Sequence, residues 1–458
     1  MKVVKFGGSS LASAAQLQKV CAIVTGDAER KFVVVSAPGK RDKADTKVTD
    51  LLIATAKARL NGQSGEEELA RVLERYASMA AELGLPPSST AAIAENLRAC
   101  LLSDTSNAGR YLDTLKAAGE DNCARLVAEY LRALGHDAMY VNPKDGGMIL
   151  SDEPGNARVL EESYARLAAL RELPGIIVFP GFFGYSREGN VVTFPRGGSD
   201  ITGAILARGV QADTYENFTD VDSVFAADPR IVDNPVAVSE ITYREMRELS
   251  YAGFSVFHDE ALEPVYQAGI PVAIKNTNNP SAPGTQLVMT REANQAPLAG
   301  ISACGGFCMV YVSKYMMNRE VGFGRHLLQI FEEAGLPFEH MPSGIDNLSV
   351  IVRESAFTPA VEADVLGKIQ AQLQPDSISV ERGLALVMLV GEGMRHAVGL
   401  AARACSAFAH AAINLEMINQ GSSEVSMMFG ISENDMAAAV RTLYDEFFAA
   451  VTDVARSS

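Results

Sequence analysis

Short apolar runs alternate with longer amphipathic stretches over the first 290 residues of the chain. Most of these runs are continuous in Val, Ile and Phe, which is typical of parallel strands covered on both faces. Because helical segments lie between the runs, the pattern predicts an α/β fold with a doubly wound, mainly parallel sheet. The predicted strands are residues 3–6, 32–37, 138–141, 175–180, 191–194, 214–219 and 272–276.

The stretch of residues 49–134 breaks this alternation, because its pattern is helical almost throughout. It predicts a helical subdomain that lies over the substrate end of the sheet. Within it, residues 71–81 have the pattern of an amphipathic surface helix, whose charged side chains are expected to face solvent.

The pattern changes again after a polar stretch, TREANQAP at residues 290–297, where we expect a linker. Beyond it, strands and helices follow a weak repeat with a period of about 75 residues. This predicts two α+β, ferredoxin-like modules at residues 298–375 and 380–458, after an α/β domain at residues 1–290. The predicted elements are strands at 307–312, 348–352, 384–390 and 425–430, and helices at 324–334, 397–410 and 435–449.

Composition narrows the possible partners and compartments. The net charge of −16 argues against nucleic acid and anionic membranes as partners. No apolar run reaches the length of about 18 residues that a membrane span needs. The six cysteines are scattered, and the Cys304–Cys308 pair has no neighbouring His or Cys, so we predict reduced thiols, no metal site and a cytoplasmic protein.

The chemistry centres on residues 194–209, FPRGGSDITGAILARG. Gly197 and Gly198 permit a tight turn and a close approach of backbone to a ligand. Ser199 and Asp200 stand where a helix N-cap belongs, and Arg196 adds a cation. The stretch predicts an anion site at a helix start, although GGSD taken alone is more often a plain strand-to-helix turn with a capping Asp.

A second glycine turn stands at the start of the chain, MKVVKFGGSS. Lys5 lies inside a predicted strand, and Gly7, Gly8 and Ser9 follow at once. Two such turns in one parallel sheet can converge on one polyphosphate, with the Lys5 ammonium countering the charge on the transferring phosphoryl group. The alternative for Lys5 is a strand lysine that extends its amine to solvent. Neither a Walker A loop nor GxGxxG after a strand occurs in the chain.

Three motifs together resemble the aspartate kinase family, which has the amino-acid kinase fold and C-terminal ACT domains. They are KFGGSS at 5–10, FPRGGSD at 194–200 and TDVDSVFAADPR at 219–230. The resemblance implies ATP-dependent phosphorylation of the β-carboxylate of L-aspartate, the first step of lysine, threonine and methionine biosynthesis. It also implies Mg²⁺ held mainly by phosphate oxygens, with no dedicated carboxylate cage.

The resemblance assigns roles to individual residues. Lys5 and Asp200 match the catalytic pair, Arg196 would hold the α-carboxylate of aspartate and Glu120 its α-ammonium. Without the resemblance, Glu120 would be interpreted as structural. The implied substrate-binding residues are Thr49, Glu120, Arg196, Gly197, Gly198 and Ser199. The implied nucleotide-binding residues are Lys5, Phe6, Gly7, Gly8, Ser9, Thr219, Asp220, Phe225 and Arg230.

One stretch departs from the family pattern. In YAGFSVFHDEAL, Ser255 stands where many members have a nucleotide-contacting lysine, and Asp259 stands where they have proline. Either Lys275 or Arg230 covers the phosphates instead, or the site is rearranged. His258 has no Cys or His neighbour and is interpreted as a core histidine.

The ACT pair implies regulation by an amino acid, lysine or threonine or both, bound between subunits. The expected assembly is a homodimer through the ACT domains, with a tetramer as a further possibility. In the family, the strand near residues 300–304 and the C-terminal helix both join the second module. The candidate effector residues are Met316, Phe323, Gly324, Ser343 and Asp346.

Two alternatives to aspartate kinase stay open at this point. One is an enzyme of the same fold that phosphorylates another carboxylate or a phosphate. The other is a catalytically inactive amino-acid sensor, an interpretation favoured by Ser255 and opposed by Lys5, Asp200 and Arg196.

Overall fold

The structure is a computed structural model that describes residues 1–254, 259–292, 297–421 and 425–457. The chain divides into two compact units. The first consists of Met1–Val224, Val238–Tyr243 and Ser255–Arg291, and the second of Phe225–Ala237, Arg244–Phe254 and Glu292–Ser458. Two short segments from the middle of the chain therefore belong to the same unit as the C-terminal residues.

Most strands up to residue 291 join one sheet. The strands are β1 (Lys2–Phe6), β2 (Arg30–Val35), β3 (Ala138–Tyr140), β4 (Ile176–Pro180), β5 (Phe183–Tyr185), β6 (Val191–Thr193), β7 (Thr214–Thr219), β8 (Val224–Phe225), β9 (Ala237–Val238), β10 (Glu240–Thr242), β11 (Val272–Asn276) and β12 (Thr285–Val288). Eight of them pair in the order β10-β12-β11-β7-β1-β2-β4-β3. All neighbours run parallel except β11 and β12. The predicted mainly parallel sheet is confirmed.

The strand predicted at residues 191–194 lies outside this sheet. It forms β6, which pairs antiparallel with β5 in a separate two-stranded hairpin. The turn between them is closed by a hydrogen bond from the N–H of Ser186 to the carbonyl of Asn190 at 2.8 Å. An apolar run indicates a strand, but it does not indicate which strand will be its partner.

The helices up to residue 291 are α1 (Ala14–Thr25), α2 (Val48–Leu60), α3 (Glu66–Glu82), α4 (Pro87–Leu101), α5 (Ala108–Ala133), α6 (Pro143–Gly146), α7 (Glu162–Leu167), α8 (Gly198–Gly209), α9 (Tyr243–Tyr251) and α10 (Glu263–Ala268). Helices α2 to α5 occupy the stretch predicted to be helical. The expectation that the charges of α3 face solvent is wrong for Arg75, which is only 4% exposed. Its guanidinium is buried because it donates hydrogen bonds to backbone carbonyls outside α3.

The C-terminal part of the second unit is a five-stranded antiparallel sheet in which helices follow strands. The elements are β13 (Gly300–Ser313), α11 (Phe323–Glu333), β14 (Asn347–Arg353), α12 (Pro359–Leu373), β15 (Ser377–Val390), α13 (Leu400–His410), β16 (Met417–Gln420), β17 (Ser426–Ser432) and α14 (Met436–Ser457). The strand order is β14-β13-β15-β17-β16, and every neighbouring pair is antiparallel. The sequence did not predict α12 or β16.

The long strand β13 contributes to both halves of this sheet. Residues 307–313 of β13 pair with β14, whereas residues 300–304 pair with residues 386–390 of β15. Those residues of β15 pair on their other side with β17. Residues 300–304 therefore share a half-sheet with strands that follow them by more than eighty residues. None of the described helices is long and apolar enough to cross a lipid bilayer.

Candidate active site

The turn that leads into α8 requires glycine at two positions. Gly197 has a φ of +78°, in the left-handed region that favours glycine. A Cβ at Gly198 would lie 2.5 Å from the ring of Phe182 and 2.9 Å from the Cβ of Phe194. The prediction that Ser199 and Asp200 form the N-cap is wrong, because the left-handed backbone at Gly197 starts α8 without a side-chain cap and both residues lie in its first turn. Glycine thus lets the chain turn tightly here and start a helix against packed aromatic rings.

Lys5 and Asp200 form a buried ion pair. Only 7% of Lys5 is exposed, and its Nζ lies 2.6 Å from Oδ1 of Asp200. The two residues meet because α8 packs against β1. A buried ammonium needs such a partner, since transfer of an unpaired charge out of water is unfavourable. The structure therefore brings together the two residues that the resemblance assigns to catalysis.

Asn217 joins this pair and was not identified from the sequence. It lies beside Lys5 on the neighbouring strand β7. Its Nδ2 donates to Oδ1 of Asp200 at 2.8 Å, and its Oδ1 accepts from Nζ of Lys5 at 3.4 Å. One signal could have found it, because a polar residue inside a strand predicted to be buried needs a polar partner.

The glycine turn after β1 touches the loop after β2. The N–H of Gly39 donates to the carbonyl of Gly8 at 2.8 Å, and a Cβ at Gly39 would lie only 2.6 Å from the carbonyl carbon of Gly8. A Cβ at Gly7 would lie 3.5 Å from Nζ of Lys5. The two loops thus meet backbone to backbone close to the Lys5 amine.

Two neighbours of these glycines face different environments. The ring of Phe6 is fully buried and stacks on Phe218 with a centroid distance of 4.9 Å. Phe6 therefore has only backbone atoms to offer a nucleotide. Ser9 is exposed, so its hydroxyl is accessible to a ligand.

Glu120 is a buried carboxylate with a free oxygen. It is 5% exposed, and its Oε2 has no hydrogen-bond partner among the residues that the structure describes. Burial raises the pKa of Glu120 to about 8, and the backbone of Ala37 and the charge of Lys116 oppose only part of that rise. A buried carboxylate that lacks a partner is suited to bind a cationic group.

Thr49 lies close to the same region. It is half-buried in the first turn of α2. The packing is tight, because a Cβ at Gly119 would lie 2.9 Å from the Cβ of Ala37 and 3.6 Å from Cγ1 of Val48. The helix start that carries Thr49 therefore packs against the turn of α5 that carries Glu120.

Arg196 is an exposed cation. Its guanidinium forms no ion pair with any residue in the described part of the chain. It stands next to Gly197, where the backbone is left-handed. The side chain is therefore accessible to an anionic ligand at the start of α8.

An ion-pair network that the sequence did not predict ties α5 to β6. Asp113 is 1% exposed and lies 2.7 Å from Nζ of Lys116. Its carboxylate also accepts from the N–H of Thr193 at 2.8 Å and from the hydroxyl of Thr193 at 2.9 Å. A fourth bond comes from the N–H of Gly155 at 2.8 Å. Because β6 leads directly into the turn with Arg196, this network fixes that turn against the helix with Glu120.

The carboxyl ends of β1, β7 and β11 meet at one edge of the sheet. The N–H of Thr277 donates to the carbonyl of Thr219 at 2.9 Å, and the hydroxyls of Ser10 and Thr277 are 2.7 Å apart. Asp220 is exposed at the end of β7. Such an edge is where open parallel sheets bind nucleotides.

The remaining candidates for nucleotide contact are Phe225, Arg230 and Lys275. Phe225 and Arg230 belong to the second unit. The guanidinium of Arg230 is held by its near neighbour Asp228, with Nη2 2.6 Å from Oδ2. Nζ of Lys275 lies 4.0 Å from a carboxylate oxygen of Glu216. Ser255 and His258 lie outside the described residues.

Two of the candidate effector residues, Met316 and Asp346, share a hydrogen bond in the second unit. Met316 has a φ of +59°, and its N–H donates to Oδ1 of Asp346 at 2.9 Å. Ser343 forms a single β-bridge to Leu348. Phe323 is 3% exposed at the start of α11, where Gly324 follows it. Asp346 thus already holds a backbone group of the segment that would face an effector.

Exposed apolar side chains surround these residues. Tyr315, Val321 and Ile345 are 75%, 97% and 72% exposed. His340 is half-buried, and its Nε2 lies 2.6 Å from the Asn419 amide. Burial lowers the pKa of His340. The exposed apolar side chains are typical of a surface that contacts another molecule.

Comparison with known proteins gives the family. The Amino acid kinase family matches residues 1–276, and the ACT domain family matches residues 387–447. The chain is 59% identical to Aspartokinase 3 of Bacillus subtilis over 451 residues, which is 98% of this chain and 99% of that protein. This agreement extends over both the catalytic and the regulatory parts of the sequence.

Comparison with solved structures gives the same family as the sequence comparison. The aspartate kinase of Clostridium acetobutylicum has a TM-score of 0.85 and 36% identity, and the match covers 98% of this chain and 100% of that one. The structure of E. coli aspartokinase III in complex with aspartate and ADP, in the R-state, is 25% identical to this chain and has a TM-score of 0.80. The match covers 98% of this chain and 100% of that one. The structure of E. coli aspartokinase III in complex with lysine and aspartate, in the T-state, has a TM-score of 0.77, and the match covers 99% of that chain. The chain therefore belongs to the aspartokinase family and is an allosterically regulated aspartate kinase.

Proposed function

We propose that the protein transfers the γ-phosphoryl group of ATP to the β-carboxylate of L-aspartate at the sheet edge between its two glycine turns. The observation that carries this assignment is the buried Lys5–Asp200 pair, with Nζ and Oδ1 2.6 Å apart. A β-carboxylate oxygen forms a bond to the γ-phosphorus as the bond from that phosphorus to the β–γ bridging oxygen breaks. The products are 4-phospho-L-aspartate and ADP, which is the first step of lysine, threonine and methionine biosynthesis.

Lys5 supplies the charge that this step needs. Two anions must approach each other, and the transferring group carries negative charge throughout the reaction. Asp200 and Asn217 hold the Lys5 amine in place before the substrates arrive. A preorganised ammonium in a site with little water stabilises the transition state more than the same charge would in bulk solvent.

Glu120 and Arg196 would bind opposite charges on aspartate. The free oxygen of Glu120 suits the α-ammonium, and the unpaired guanidinium of Arg196 suits the α-carboxylate through two parallel hydrogen bonds. Further hydroxyl and backbone contacts would come from Thr49, Gly197, Gly198 and Ser199. The E. coli relative was solved with aspartate, which supports this choice of substrate.

The nucleotide would bind along the turn after β1 and the end of β7. The contacts we propose are Lys5, the backbone of Phe6, Gly7, Gly8, Ser9, Thr219, Asp220, Phe225 and Arg230. The E. coli relative was solved with ADP, which supports ATP as the donor. For Arg230 to reach a phosphate, its guanidinium would have to leave Asp228.

Mg²⁺ would enter with ATP. The described residues contain no group of three His, Cys, Asp or Glu side chains placed to hold a metal. Phosphate oxygens and water suit Mg²⁺ as ligands, and exposed Asp220 at the end of β7 offers one carboxylate. The ion would neutralise part of the phosphate charge when bound.

Regulation would reside in two ACT modules, residues 298–375 and 380–458, after a catalytic domain of residues 1–290. Lysine or threonine or both would bind near Met316, Phe323, Gly324, Ser343 and Asp346. The E. coli relative was solved with lysine in a T-state, which supports this class of effector. The exposed apolar side chains nearby support a homodimer through the ACT modules and are compatible with a tetramer.

The six free thiols are typical of a cytoplasmic protein.

The test is phosphorylation of L-aspartate by Mg-ATP, trapped as the hydroxamate, with lysine, threonine or both added. We expect activity that falls with at least one effector. Lys5→Ala should lower kcat by roughly 10²- to 10³-fold, whereas Lys2→Ala, at the far end of the same strand, should not. Activity on glutamate instead of aspartate, or an active Lys5→Ala variant, would contradict the proposal.

A further inference from the structure

Arg75 in α3 is a buried cation that the proposed chemistry does not use. It is 4% exposed. Its Nη1 donates to the carbonyls of Ala12 at 3.3 Å and Gly39 at 3.1 Å. Its Nη2 donates to the carboxylate of Asp45 and to the carbonyl of Thr46 at 3.4 Å. One guanidinium therefore joins α3 to two separate loops.

Both loops lead to the proposed site. Ala12 follows the turn Gly8–Leu11, directly after β1 and Lys5. Gly39 lies in the loop after β2, and its backbone touches that of Gly8. The same loop ends where α2 begins, one residue before Thr49. The residues that Arg75 holds thus lie close in the chain to the proposed contacts for nucleotide and aspartate, or touch them.

We infer that Arg75 is a positioning residue that sets the spacing of the β1 and β2 loops for phosphoryl transfer. The inference rests on the proposed function and assigns Arg75 no contact with substrate. Arginine suits the role because its N–H groups point in fixed directions in one plane, so several acceptors are held at once. Asp45 balances its charge, which allows the side chain to stay buried.

Steady-state kinetics of Arg75→Gln and Arg75→Lys test this role. We expect Arg75→Gln to lower kcat/KM for aspartate by roughly 30- to 100-fold, because a displacement of about 1 Å costs on that order. The KM values for aspartate and ATP should both rise. Arg75→Lys keeps the charge but lacks the planar fork, so it should stay at least about tenfold impaired.

The KM values separate positioning from simple stability. A residue that only stabilised the fold would change the amount of active enzyme, and therefore apparent kcat, while both KM values stayed unchanged. Arg98→Gln on α4 is the matched control, because Arg98 is exposed and lies outside these loops. Wild-type KM and kcat in Arg75→Gln, normalised to folded protein, would overturn the inference.

Trypsin provides a readout that does not depend on the reaction. Lys40, Arg41 and Lys43 are exposed cleavage sites in the loop that Arg75 holds. Cleavage there should become about tenfold faster in Arg75→Gln, because the loop opens more often when its tether is lost, and should not change in Arg98→Gln. Unchanged cleavage would overturn the inference even if the proposed substrate were wrong. Inactivity of the wild-type protein on aspartate would count against the proposed function alone.

Discussion

Two buried carboxylates on helix α5 have opposite surroundings. Asp113 and Glu120 lie two helical turns apart on one face. Asp113 is bonded to the Lys116 ammonium and accepts three further hydrogen bonds. Glu120 keeps one oxygen without a hydrogen-bond partner in the described part of the chain, and burial raises its pKa to about 8. Lys116 stands between them and pairs with Asp113.

The comparison separates structural from ligand-binding carboxylates. Burial is nearly the same in both cases, at 1% and 5% exposure, so burial does not distinguish them. The partners do. The charge of Asp113 is compensated inside the protein, whereas the ionised form of Glu120 lacks a compensating partner until a cation arrives.

The largest expected effect is on the stability of Asp113→Asn. This change removes the charged partner of the Lys116 ammonium in an ion pair whose side chains are only 13% and 1% exposed, and breaking such a pair typically costs about 3–5 kcal/mol of unfolding free energy. Urea denaturation measures it, and Glu95→Gln, at an exposed site on α4, is the control. A loss below about 1 kcal/mol would show that the network is not structural and would break the comparison.

In contrast to Asp113→Asn, Glu120→Gln should weaken aspartate binding and leave the unfolding free energy unchanged or higher. A hydrogen bond to a charged group contributes about 1.5–3 kcal/mol, so KM for aspartate should rise roughly 10- to 150-fold. Calorimetric titration with aspartate and steady-state kinetics measure the change. If KM is unaffected while stability falls, Glu120 is structural and the two carboxylates are alike.

The pH dependence of aspartate binding provides a second test of Glu120 as the residue that binds the α-ammonium. With a pKa of about 8, Glu120 is protonated in the free protein below that pH, and the α-ammonium of aspartate requires the ionised form. KM for aspartate should therefore fall as the pH rises towards 8, by up to about tenfold per unit. A flat profile in the wild-type protein, or an unchanged slope in Glu120→Gln, would contradict this assignment.

The raised pKa also affects stability, with a defined sign. Folding favours the neutral form of Glu120, so its contribution to stability is fully present below the ordinary value of 4.5 and is lost as pH rises through about 8. Wild-type protein and Glu120→Gln should therefore diverge in unfolding free energy as the pH is raised over this range.

The smallest expected effect is on the activity of a variant at Asn217. Both the amide nitrogen and the amide oxygen of Asn217 have hydrogen-bond partners, as both carboxylate oxygens of Asp113 do. Asn217→Leu has similar volume but removes the hydrogen bonds to Asp200 and Lys5. We expect kcat to fall about tenfold, which corresponds to one hydrogen bond to a charged group. A kcat within twofold of wild type would show that Lys5 and Asp200 hold each other without help.

Local patterns predicted much of the fold. Strands at 214–219 and 272–276 coincide with β7 and β11, and α2 to α5 fill the stretch predicted to be helical. Residues 191–194 form a strand in a different sheet, because pairing depends on segments distant in the chain. Arg75 has the charge of a surface residue, yet it is buried because acceptors from two other loops surround it.

The sequence by itself determined the two glycine turns, the strand that carries Lys5 and the helix start that carries Asp200. These follow from backbone freedom at glycine and the period of apolar residues, which are both properties of neighbouring residues. Only the tertiary structure decided that Asn217 joins Lys5 and Asp200, that Asp113 is paired and that Glu120 keeps a free oxygen. Hydrogen-bond partners and desolvation depend on groups that folding brings together from distant parts of the chain.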